Sequence, residues 1–110
     1  MIIDFNKIDE VCVKGFKGGN GDLLTRNYDD GKCKIMMSKL RPGASSGLHQ
    51  HSGNCEIVYI ISGVATFHYD GHVETAVAGQ VHYCPDGHEH YMENNTNNDL
   101  CYLAIVPQMP

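Results

Sequence analysis

The sequence predicts an all-β sandwich or barrel. Short apolar or alternating runs recur along the chain with turn signals roughly every 8–12 residues. Asp70-Gly71 stands between two such runs, the strongest short hairpin signal a sequence offers. No stretch sustains the 3.6-residue period of a helix.

The elements follow in order. Asn6 to Val13 suits one helical turn or a short strand. KGFKGGNG, Lys14 to Gly21, holds four glycines. No Lys-Ser/Thr pair follows it, so it reads as a flexible turn region and not a phosphate cradle. Leu23 to Tyr28 is a strand, closed by Asp29-Asp30-Gly31. Lys32 to Leu40 is a second, stopped by Arg41-Pro42-Gly43. His49 to His51 and Glu56 to Ile61 are the third and fourth. Ala65 to Tyr69 and His72 to Ala76 flank Asp70-Gly71. Gln80 to Cys84 and His90 to Asn94 flank Pro85-Asp86-Gly87, and Leu100 to Val106 ends the series. The fourth strand is apolar on both faces, which predicts burial on both sides.

Composition narrows the function. A chain of 110 residues suits one domain, taken here as 1–110. The net charge of −5 argues against a nucleic-acid partner. Lys7, Lys14 and Lys17 are scattered and read as solubilising surface charges. No apolar run approaches the ~18 residues of a membrane span, and MIIDFNKIDE lacks the form of a signal peptide. Five cysteines without CxxC spacing predict free thiols in a reducing cytoplasm. Asn94-Asn95-Thr96 matches a glycosylation sequon, a motif common by chance.

The chemistry concentrates in GLHQHSGNCEIVYIISG, residues 47–63. In a strand, residues i and i+2 share a face, so His49 and His51 project together about 6–7 Å apart. Two imidazoles at that spacing can converge on one ion. Glu56 has the wrong parity for a continuous strand, but Ser52-Gly53-Asn54 lets the chain turn and reset it. A carboxylate on a buried face is costly unless paired or metal-bound. A third histidine is needed from elsewhere. His88 and His90 share i, i+2 spacing, and geometry leaves the choice open. His88 is expected in the turn, facing water. His68 and His72 read as exposed residues flanking the hairpin tip. His82 suits either an inward group or an outward one.

These residues resemble the cupin superfamily. Gly43-x5-His49-x-His51-x4-Glu56-x6-Gly63 matches its first motif, and Gly79-x5-Pro85-x-Gly87-x2-His90-x3-Asn94 its second. The motifs span 43–63 and 79–94, and Val64 to Ala78 separates them as in small microbial cupins. The resemblance implies a small antiparallel jelly-roll β-barrel. It implies that His49, His51, Glu56 and His90 bind a divalent transition metal: Fe, Mn, Ni, Co, Cu or Zn.

An open position on such an ion suits two roles, Lewis-acid chemistry of the isomerase, lyase or decarboxylase kind, or dioxygenase chemistry. The leading expectation is an enzyme acting on a small polar molecule, carbohydrate-derived or a carboxylate. The alternative is a non-catalytic small-molecule-binding or sensing cupin. No residue has a general acid–base signature; His82 and Tyr59 lead a weak field that includes Tyr83, Tyr91, Tyr102 and Asp99. Met36, Met37 and Met92 read as core filler. Exposed sheet edges predict a homodimer.

Overall fold

The computed structural model describes residues 1–110. Ten strands form two antiparallel sheets: β1 Val11–Lys14, β2 Asp22–Asp29, β3 Cys33–Leu40, β4 His49–Gln50, β5 Glu56–Ser62, β6 Val64–Tyr69, β7 His72–Val77, β8 Val81–Cys84, β9 Glu89–Glu93 and β10 Leu100–Pro107. The six-stranded sheet has the order β1-β2-β3-β10-β5-β8, and the four-stranded sheet β4-β9-β6-β7. Together they make the small jelly-roll barrel of the sequence reading. No helix is long and apolar enough to cross a membrane.

Alternation decides which side chains enter the barrel. Met36, Ser38 and Leu40 of β3 point inward, as do Leu100, Tyr102 and Ala104 of β10 and Val58 and Ile60 of β5. From the other sheet come Ala65, Phe67, Ala76 and Met92, and these apolar groups belong to one core cluster. The buried hydroxyls of Thr25 and Ser38 bond each other at 2.7 Å, and no buried side-chain polar atom lacks a partner.

The predicted hairpin is present. Asp70 and Gly71 both have positive φ, 49° and 80°, as a type I′ turn requires, and Tyr69 pairs with His72 across it. The ambiguous N-terminus contains both alternatives, a 3-10 turn at Phe5–Lys7 followed by β1.

Four expectations are corrected. β5 is buried on one side only: Val58 and Ile60 are enclosed, whereas Tyr59 and Ile61 on the opposite face are 44 % and 43 % exposed. A single layer packs on this sheet, so its outer face stays bare within one chain. The glycine-rich segment is a docked turn and not a loose one. Asn20 and Ser45 exchange backbone hydrogen bonds of 3.2 and 2.8 Å, and the Gly47 N–H donates to the Phe16 carbonyl at 3.0 Å. His68 is half-buried; it stacks on Tyr91 with ring centroids 4.1 Å apart and meets Glu93 at 2.8 Å. Met37 lies on the outer face beside Leu103, not in the core.

Candidate metal centre

Two backbone features assemble the site. His49 on β4 stands directly opposite His90 on β9. Beyond β4 the His51 N–H donates to the His88 carbonyl at 2.9 Å, and the Gly87 N–H donates to the His51 carbonyl at 2.7 Å. The Pro85–His88 turn makes this pairing possible, because Gly87 takes a φ of 88° that other residues resist. The Ser52-Gly53-Asn54 break carries the chain from the four-stranded sheet to the six-stranded one. Glu56, the first residue of β5, therefore faces the histidines from the opposite wall.

The four side chains meet closely. His90 Nε2 lies 3.1 Å from both His51 Nε2 and His49 Nε2. Glu56 Oε1 lies 2.9 Å from His90 Nε2, 3.3 Å from His51 Nε2 and 4.0 Å from His49 Nε2. All four donor atoms fall within 4.8 Å of one another. On an ion with bonds of about 2.1 Å, ligands at right angles stand about 3 Å apart and an opposite pair about 4.2 Å. The three distances from His90 Nε2 and the His51–Glu56 distance approach the right-angle value, and the His49–Glu56 distance is longer. These residues thus fit a divalent transition metal.

The outer nitrogens are occupied too. His49 Nδ1 lies 2.7 Å from the Gly47 carbonyl, His51 Nδ1 2.6 Å from Asn54 Oδ1, and His90 Nδ1 2.9 Å from His82 Nε2. A carbonyl only accepts, so His49 must carry its proton on Nδ1 and turn an Nε2 lone pair to the centre. Ligand histidines in metal sites are oriented in this way. The residues that do this, Gly47, Asn54 and His82, carry no motif that names them.

Electrostatics agree with the crowding. Burial pushes the Glu56 carboxyl up, but contact with the His49, His51 and His90 rings more than reverses it and holds it well below the usual carboxylate range. The Glu56 carboxylate raises the His51 pKa, helped by Asn54 and opposed by burial and by the Lys17 charge.

A cavity of about 230 Å³ opens onto the site. His49, His51 and Glu56 form its floor, Phe16 and Met36 are among its apolar lining, and Lys17 and Lys34 bring positive charge. Lys17 is therefore more than a solubilising charge. It sits at a strained φ of 51°, a conformation that recurs at ligand clamps.

The acid–base candidates are scattered. His82 is buried and touches His90 without lining this cavity. Its burial, first among the causes, lowers its pKa against the pull of Glu74. Tyr59 and Tyr83 lie on the outer face of the six-stranded sheet, and Tyr91 is stacked on His68. Tyr102 is buried against the core, which pushes its phenol up. Asp99 pairs with Arg41 at 2.8 Å and does not line the cavity at the site. His88 stands by the turn as expected but pairs with Asp70, while His72 is exposed. Asn94 is fully buried and its amide donates to the Leu40 and Asn98 carbonyls at 2.9 and 2.7 Å, so the sequon is closed in the folded chain.

The family model for the cupin domain matches residues 36–106. This chain belongs to the cupin family. An oxalate-binding protein from Thermotoga maritima is 34 % identical over 112 residues, covering 96 % of this chain and 93 % of that protein. The crystal structure of a predicted oxalate decarboxylase from Thermotoga maritima superposes with a TM-score of 0.91 at 31 % identity, covering 99 % of this chain and 100 % of that one. Oxalate decarboxylase OxdC of Bacillus subtilis is 41 % identical over 71 residues, which cover 60 % of this chain but only 18 % of that enzyme.

Proposed function

We propose that this chain binds a divalent transition metal through His49, His51, Glu56 and His90, and binds a small dicarboxylate of the oxalate class beside it. One observation carries the reading: four donor atoms converge at metal-ligand separations while the outer nitrogens of all three imidazoles are engaged. When bound, such an ion supplies Lewis-acid charge and exchangeable positions for oxygen donors.

The residues around it suit a small anion. Four protein donors would leave an octahedral ion up to two positions for a ligand with two oxygens. Lys17 and Lys34 in the cavity lining, set against the one other acidic residue there, Asp29, bring positive charge toward a dianion's second charge. The volume falls below the roughly 300–1,000 Å³ of drug-sized ligand sites. Phe16 and Met36 supply apolar walls that keep bulk water from the ligand's flanks. The relative from Thermotoga named for oxalate binding supports this choice of ligand.

Binding without turnover is the primary reading. Decarboxylation of the same ligand is the second, favoured by the 41 % match to the Bacillus enzyme. Metal analysis of the purified protein beside a His49→Ala, His90→Ala variant tests the ligand set; equal metal in both sinks it. Titration calorimetry of the metal-loaded protein with oxalate, malonate and a neutral sugar tests the ligand class. Formate release from oxalate separates enzyme from binder, and oxygen uptake with Fe(II) tests dioxygenase chemistry.

The same proposal includes one cupin unit over 1–110, residence in the cytoplasm and a homodimer. The outer face of β8-β5-β10 presents Tyr83, Val81, Tyr59, Ile61 and Leu103, and a second copy would cover it by two-fold symmetry. Light scattering after size-exclusion chromatography of wild type and Tyr59→Lys decides the dimer. A monomeric wild type refutes it.

A further inference from the structure

Behind the four donors a second polar path runs to the surface. His90 Nδ1 meets His82 Nε2 at 2.9 Å, and His82 Nδ1 meets Glu74 Oε1 at 2.9 Å. The His82 side chain is 1 % exposed and the Glu74 side chain 53 %. Glu74 lies on β7, the edge of the four-stranded sheet, and His82 on β8, the edge of the six-stranded one. No ladder joins these strands, so the contact crosses an open seam of the barrel. A depression of about 360 Å³ lies there, lined by Glu74, Thr75, Ala76, Gln80, Val81 and His82, none of which lines the cavity above the site.

We infer that Glu74 and His82 form a positioning arm that sets the proton and the ring orientation of His90. This rests on the metal reading above and extends it to two residues that the motifs do not specify.

Donor and acceptor roles fix the direction of the arm. A carboxylate only accepts, so His82 donates from Nδ1 to Glu74. A neutral His82 then has only a lone pair on Nε2, which accepts from His90 Nδ1. His90 is left with a bare Nε2, the atom that faces Glu56, His49 and His51.

Packing holds the arm in place. Phe67 stacks on His82 with centroids 3.8 Å apart and planes 15° apart, and the His82 and His90 planes differ by 19°. Tyr69 closes the His82 ring edge-on at 5.4 Å. The other two ligands differ in kind. His49 and His51 lean on a backbone carbonyl and a side-chain amide, both neutral. Only His90 is backed by an anion, which makes its ring the most electron-rich donor of the three.

The rival role is a mere tie between the sheets, and three variants separate the two. His82→Phe keeps the ring and its stack on Phe67 but removes both hydrogen bonds. His82→Gln restores one acceptor and one donor. Glu74→Leu removes the anchor from the exposed end. Each is assayed by chelator competition for Mn(II) or Zn(II), by pulsed EPR of the Cu(II) form, whose remote-nitrogen signal reports hydrogen bonding at the outer nitrogen, and by thermal unfolding without metal.

The inference expects a 10- to 100-fold loss of metal affinity in His82→Phe, the range typical for removing such a partner. It expects Glu74→Leu to lose a smaller multiple, about 3- to 10-fold, since His82 keeps its bond to His90. His82→Gln should stay within about threefold of wild type, and the remote-nitrogen signal should change in His82→Phe and return in His82→Gln. Wild-type affinity and an unchanged signal in His82→Phe overturn it, even with lowered stability. Should His82→Phe not fold, Glu74→Leu and His82→Gln decide by the same affinities. The metal reading fails separately, when wild type and the His49→Ala, His90→Ala variant bind metal alike.

Discussion

Gly47→Ala would break the docking of the glycine-rich turn and, through it, the site. A Cβ on residue 47 would lie 1.9 Å from the Lys17 carbonyl oxygen and 2.7 Å from its carbon. Both are backbone atoms, so no side-chain rotation relieves the clash. Carbon–oxygen contacts of this kind settle near 3.3 Å, so one segment must retreat by more than about 1 Å. Retreat strains the Gly47 N–H bond to the Phe16 carbonyl, the Asn20–Ser45 pair and the His49 bond to the Gly47 carbonyl. Overpacking that strains these four bonds without breaking all of them costs about 3 kcal/mol, the upper end of its usual range. For a domain of this size that lowers Tm by about 12 °C. Circular dichroism of the metal-free protein measures it, and chelator competition should show metal affinity falling about tenfold as His49 loses its anchor. A Tm within about 2 °C of wild type, with unchanged affinity, would refute the claim that the turn is a rigid wall of the site.

Further outcomes are expected. Glu56→Gln keeps the size of the side chain and removes its charge, so metal affinity should fall at least tenfold in a competition assay, a loss on the order of that for an outer partner or greater. The His51 pKa is raised in the metal-free protein, so its stabilising contribution is present below about pH 6.5 and lost as pH rises through the folded value. Metal requires the unprotonated ring, so the rise in Tm on adding metal should shrink as pH falls from about 8 to about 6. Thermal scans with and without metal across that range check both slopes. Phe67→Ala should cost about 3–5 kcal/mol in urea unfolding, because the ring is 1 % exposed and fills the core beside His82. Burial pushes the Cys84 thiol up to about 12, so Cys84 should resist a disulfide reagent until the chain unfolds, while the exposed Cys12 reacts in the native protein.

Local signals succeeded wherever a short stretch determines its own geometry. Asp70-Gly71 requires positive φ at two successive residues, and few arrangements other than a hairpin satisfy that. The parity argument at Ser52-Gly53-Asn54 reached the right grouping for a partial reason. The break resets side-chain direction by moving the chain between sheets, so Glu56 faces His49 and His51 across the barrel. The second apolar face of β5 misled because alternation records which residues avoid water, and does not say whether this chain or another covers them. KGFKGGNG misled because its Gly19 serves close approach to the Ser45 backbone, and Gly47, outside the segment, leaves room in turn for the backbone of Lys17.

The sequence by itself determined the strand series and the hairpin, since each follows from spacing within a few residues, and the resemblance added the four residues of the candidate centre, His90 among them. Tertiary structure alone decided who supports them. Gly47, Asn54 and the Glu74–His82 arm reach the ligands through contacts that depend on how two sheets close over one another. Lys17 and Lys34, 17 residues apart, become the charged walls of one cavity for the same reason. Hydrogen bonds and packing act over a few ångströms of space, and the chain places residues within that range with no regard to their separation in sequence.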